Sequence, residues 1–128
     1  MREIRSYMPL ENERASFAYG EVKKLYGSMK EEAQKKEFKS WSQKFPSMII
    51  NCGLIQTISY YEDSKRKEIC NILEKWLKKK NYINENDKLL SALVNINDPK
   101  KLRLITLETI KFSTWVKRFA SIFYEESK

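Results

Sequence analysis

Apolar residues recur along the chain at helical spacing. Ala15, Ala18, Val22, Leu25 and Met29 alternate three- and four-residue steps, the single stripe of a helix predicted over 11–27. Ala33, Phe38, Trp41 and Phe45 form a narrower seam on a charged helix predicted over 28–44. Met48, Ile49, Ile50, Cys52, Leu54, Ile55 and Ile58 leave almost no polar face, so a separate helix is predicted from Pro46 to about residue 61. Pro46 suits its first turn, and an all-round apolar helix belongs in the middle of a bundle. Gly53 falls inside this predicted helix, where glycine costs about 1 kcal/mol relative to alanine. Its place there is read as the close approach of a neighbouring helix, ahead of the approach of a ligand backbone.

Beyond a polar turn at 62–65, Ile69, Ile72, Leu73, Trp76 and Leu77 line one face of a helix predicted over 65–80. Residues 81–87 read as a loop and 88–94 as a short helix. Asp98 followed by Pro99 is a helix start, an N-cap acceptor and then a pre-set dihedral. Over 99–124, Leu102, Ile105, Phe112, Trp115, Val116, Phe119 and Phe123 share one face of a long last helix. Residues 1–10 read as a short N-terminal arm. Only three glycines and three prolines punctuate the chain, too few turn residues for a sheet protein of this length. The expected fold is all-α, a single compact helical domain over 1–128 with about five to seven helices.

Charge narrows the partner. The chain has 25 Lys and Arg against 17 Asp and Glu, a formal net charge of +8. Such a balance favours polyanions. The basic residues come in groups: Lys23 and Lys24; Lys35, Lys36, Lys39 and Lys44; Lys65, Arg66 and Lys67; Lys75, Lys78, Lys79 and Lys80; Lys100, Lys101 and Arg103; Lys117 and Arg118. On the last helix Lys100, Lys111 and Arg118 fall within about 20° of one another, a basic rail beside the aromatic stripe. A rigid rod of positive charge can follow a phosphate backbone without reading bases. Most of the aromatic residues fall on core stripes; Tyr60, Tyr61 and Tyr82 are less committed to the core and are the candidates for base stacking.

Catalytic parts are missing from the pattern. The chain has no histidine, which removes the commonest general base and the commonest metal ligand together. No spacing suggests a serine–lysine dyad, and neither G-x-x-x-x-G-K-[ST] nor G-x-G-x-x-G occurs. The adjacent acidic pairs Glu31–Glu32 and Glu125–Glu126 point to different helix faces and make poor metal sites. The expectation is therefore no enzyme, no metal site and no cofactor. Cys52 and Cys70 sit among apolar residues and read as two buried free thiols. The longest charge-free stretch, 45–61, is too short to span a membrane, and residues 1–10 carry no signal-peptide pattern. The expected compartment is the cytoplasm.

Three blocks of residues resemble a known family. The first is Arg14-Ala15-Ser16-Phe17-Ala18-Tyr19. The second is Phe45-Pro46-Ser47-Met48-Ile49-Ile50-Asn51-Cys52-Gly53-Leu54-Ile55-Gln56-Thr57, similar to a pattern of Pro, an apolar pair, then Asn-Gly-Leu and Gln, with Cys52 interposed here between Asn51 and Gly53. The third is Thr106-Leu107-Glu108-Thr109 with Trp115-Val116-Lys117-Arg118-Phe119-Ala120, similar to a closing Thr-Arg-Glu and Trp-Leu-Lys-Arg-Phe helix in which Leu107 here replaces the arginine. Together they resemble the small all-helical subunit of the type III-B CRISPR effector, the Cmr complex. The resemblance implies a non-catalytic protein whose copies stack head to tail as a minor filament. It implies contact with the backbone subunits, the large subunit and the guide and target RNA, in antiviral defence. Arg14, Lys117 and Arg118 lie inside the matched blocks, and Lys23, Lys44 and Lys111 add charge beside them; these six are the candidate RNA contacts. Two other readings stand beside this one: a helical adaptor that touches only protein, and a basic DNA-binding regulator with a preferred duplex sequence.

Overall fold

The computed structural model describes residues 8–63 and 66–127. Six helices run through them: α1 (Leu10–Ser28), α2 (Glu32–Cys52), α3 (Leu54–Glu62), α4 (Lys67–Lys79), α5 (Leu89–Val94) and α6 (Pro99–Glu126). No strand occurs among the described residues, so the chain is all-α with a helix count inside the expected range. Residues 1–7 of the predicted arm, and Lys65 at the predicted start of the fourth helix, lie outside the described residues.

The long α6 lies against both α1 and α2 and is the spine of the bundle. Its buried face carries Ile105, Phe112, Val116 and Ala120. Phe112 stacks on Trp76 of α4 with ring centroids 5.0 Å apart and planes 3° from parallel. Tyr26 of α1 donates its hydroxyl to the Ala120 carbonyl at 2.9 Å, so a buried phenol finds an acceptor. Gln43 of α2 reaches across to α6, donating to Ser121 Oγ at 2.8 Å and to the Lys117 carbonyl at 3.3 Å. Asp98 caps α6 as its sequence predicts: its carboxylate accepts the Lys100 backbone N–H at 3.0 Å.

The main departure from the periodicity lies in the middle of the chain. No break occurs at Pro46. The proline is buried inside α2, which runs unbroken to Cys52. A mid-helix proline forfeits a backbone hydrogen bond. Packing along α6 holds the helix together regardless.

The break comes at Gly53, which stands between the two helices rather than inside one. Its N–H closes α2 on the Ile49 carbonyl at 2.8 Å, and its own carbonyl accepts from Thr57 N–H at 3.1 Å to open α3. Its backbone sits at φ 90°, ψ 159°, a region essentially reserved for glycine. A Cβ built there would meet nothing within 4 Å. Backbone conformation, and not the approach of a neighbour, is what requires glycine.

Moving the break changes which residues are covered. Cys52 is exposed, against the expectation of two buried thiols, whereas Cys70 is buried on α4. Ile50, at 67% exposure, is far from a bundle interior. Tyr61 is fully buried and donates to the Trp41 carbonyl at 2.7 Å, which removes it from the stacking candidates; Tyr60 beside it is exposed. In the predicted loop, Ile83 is turned inward and buried.

Candidate functional site

One of the six candidate contacts faces the interior. Arg14 of α1 makes a two-point contact with Glu108 of α6, Nε to Oε2 at 2.7 Å and Nη2 to Oε1 at 2.8 Å. Trp76 Nε1 donates to the same carboxylate at 3.0 Å. Arg14 Nη1 continues to Glu11 at 3.1 Å, and Glu11 accepts Trp115 Nε1 at 3.0 Å. The chain Trp76–Glu108–Arg14–Glu11–Trp115 thus ties α1, α4 and α6 together from the core to the surface. Burial alone would raise the Glu108 carboxyl. Hydrogen bonds from Arg14 and Trp76 and the guanidinium charge outweigh it and hold the group below the usual carboxylate range. The hydrogen bond to Glu108 likewise raises the Arg14 pKa. Arg14 is a structural residue, and its guanidinium is not offered to a surface ligand.

The other five stay at the surface. Lys111 and Arg118 are exposed on α6, one behind the other, with Lys100 on the same outward line. Lys117 is half-buried beside them, at the seam where Gln43 of α2 meets its carbonyl. Lys23 of α1 is exposed over the Tyr19 ring at 5.8 Å. Tyr19 packs edge-on against Phe119 and Phe123 of α6. Trp115 stacks on Phe119, and Arg118 lies 5.5 Å from the Trp115 ring centroid. Lys23 and Arg118 therefore flank one aromatic row along the α1–α6 seam.

Lys44 belongs to a different group. It sits 4.7 Å from the Trp41 ring centroid, and Arg66 sits over the same ring at 4.1 Å and over Tyr60 at 4.8 Å. Arg66 and the half-buried Trp41 were not among the six. The spacing of Trp41 puts it on a core seam; apart from Lys44 its partners Tyr60, Tyr61 and Arg66 lie on α3 and beyond, where sequence gives no hint of the contact.

Neutralisation separates the basic groups more sharply than their number does. Some lysines find carboxylates: Lys75 of α4 with Glu21 at 3.0 Å, Lys78 of α4 with Glu74 at 2.9 Å, and Lys80, just past the end of α4, with Glu13 at 3.1 Å. Lys23, Lys44, Lys111, Lys117 and Arg118 have no carboxylate within 4 Å among the described residues. Over 99–124, α6 carries six basic residues (Lys100, Lys101, Arg103, Lys111, Lys117 and Arg118) and one acid, Glu108. That acid is buried and engaged by Arg14. Between Pro99 and Tyr124 the outward side of α6 thus carries positive charge alone; the other acids of the helix, Glu125 and Glu126, lie in its last turn.

No group of three or more Cys, Asp or Glu among the described residues is arranged to hold a metal ion. No helix described is long and apolar enough to cross a membrane. Residues 10–123 match the family model of the CRISPR-associated protein Cas_Cmr5. The match spans all six helices almost end to end, so this chain belongs to the Cmr5 family, the small structural subunit of the type III-B Cmr effector complex.

Proposed function

We propose that the chain is a non-catalytic subunit that supports the guide and target RNA of the complex by contacting its phosphate backbone. The observation that carries this reading is the uncompensated charge of α6. Lys111, Lys117 and Arg118 follow the helix without a carboxylate partner among the described residues, whereas Lys75 and Lys78 of α4 and Lys80 beyond it each meet one. Lys23 extends the positive surface onto α1, and Lys44 with Arg66 extends it onto α2 and its neighbour. Lysine and arginine on a rigid helix recognise repeating phosphates and not base edges. In an RNA-guided machine that is sufficient, because base pairing supplies sequence specificity. Copies of the chain stack head to tail as a minor filament. At +8 each they repel one another when free, so stacking depends on the acidic template of RNA and neighbouring subunits.

The test is charge reversal in the assembled complex. Lys117→Glu with Arg118→Glu weakens RNA binding while the altered subunit still enters the complex. If instead incorporation fails and the RNA affinity of complexes that do form is unchanged, the charge faces protein, and the adaptor reading replaces this one.

A further inference from the structure

The shift of the helix break to Gly53 leaves an apolar groove open on the surface. It lies between the start of α3 and the first half of α6, and its volume is about 860 Å³. Leu54 and Ile55 form one wall, Leu102 and Leu107 the other, with Cys52 at its edge. Leu107 is half exposed, as is Leu104 one turn before it, and Ile50 stands two residues before Cys52 as the most exposed large apolar side chain described. One exposed leucine is ordinary; an exposed leucine on the wall of an open apolar groove marks an interaction surface.

The groove has one sign of charge. Arg103 is its only charged lining residue, and it has no carboxylate partner among the described residues. No aromatic residue lines the groove, so it offers a nucleobase nothing to stack on. A second copy of the chain would bring another +8 to a positive site. We infer that this groove seats an apolar segment bearing carboxylates from a different subunit of the complex, leucine- or isoleucine-like side chains filling the floor and an Asp or Glu meeting Arg103. The inference rests on membership of a multi-subunit complex and not on RNA binding by α6.

The remaining subunits, purified together without this chain, are the probe. Arg103→Glu and Leu107→Lys each change an exposed side chain, and circular dichroism with thermal melting verifies that both fold. Each weakens incorporation about tenfold or more, while Ile122→Lys, an exposed apolar position farther along α6, incorporates as the unaltered chain does. Benzoylphenylalanine at position 107, irradiated in the reconstituted complex, then identifies the occupant. The expected adduct is a peptide of another subunit that contains apolar residues and at least one carboxylate. An adduct to RNA, to a second copy of this chain or to a peptide without carboxylates overturns the inference. So does unchanged incorporation of both variants. Because the readouts are assembly and adduct identity, a failure of RNA binding by Lys117 and Arg118 leaves this result unaffected.

Discussion

Arg14 and Glu108, 94 residues apart in sequence, face each other as a two-point ion pair with N–O distances of 2.7 and 2.8 Å inside the bundle. Removing one partner leaves an uncompensated charge in a buried site. Arg14→Ala or Glu108→Ala should therefore cost about 3–5 kcal/mol. Replacing both by apolar residues of similar size, Arg14→Met with Glu108→Leu, should cost less than either single change. Urea unfolding of the three variants measures this directly.

The same pair sets an acid limit on stability. The folded Glu108 carboxyl lies below its ordinary value, about 4.3 when unfolded. Its contribution is therefore complete at pH values well above 4.3 and is lost as pH falls through the lower folded value. Thermal melts from neutral pH downward should show the unaltered chain losing stability across that acid range more steeply than Glu108→Gln. At neutral pH the Gln variant should be the less stable of the two.

Gly53 and Gly20 make a contrasting pair. Neither would place a Cβ within 4 Å of another group. At Gly53 the backbone conformation itself excludes a side chain, so Gly53→Ala should destabilise by about 1–3 kcal/mol. Gly20 lies within α1, where Gly20→Ala should stabilise by about 0.5–1 kcal/mol. Denaturant midpoints of the two variants should move in opposite directions.

The two cysteines should differ in reactivity. Cys52 is exposed, while burial pushes the Cys70 thiol up to about 12. Maleimide treatment of the folded chain at neutral pH should add one label, mapped by mass spectrometry to Cys52. A second should appear at Cys70 only after denaturation.

Helix positions were largely legible because periodicity reports faces. The spacing of Ala18, Val22 and Leu25 foretold α1, and Asp98 with Pro99 foretold the start of α6 within a residue. Pro46 misled because its cost is local while the compensation, packing of α2 along α6, is not. That one displacement also hid the exposure of Cys52 and Ile50 and the groove beside them. Arg14 was legible as a basic residue but not as a buried one. Its partner Glu108 is remote in sequence, and only the parallel packing of α1 on α6 brings them together. The positive line of Lys100, Lys111 and Arg118 is legible because all three share one helix; that it lacks carboxylate partners, while Lys75 and Lys80 have them, depends on contacts between helices.

The central claim is that the basic face of α6 holds RNA through its phosphates. The salt dependence of RNA binding by the assembled complex, with and without Lys111→Gln, Lys117→Gln and Arg118→Gln, tests it most directly. Three lost phosphate contacts should make the slope of log K against log salt shallower by about 2. The loss of affinity should be the same for RNAs of unrelated sequence. An unchanged slope, or a loss confined to one sequence, would contradict the account.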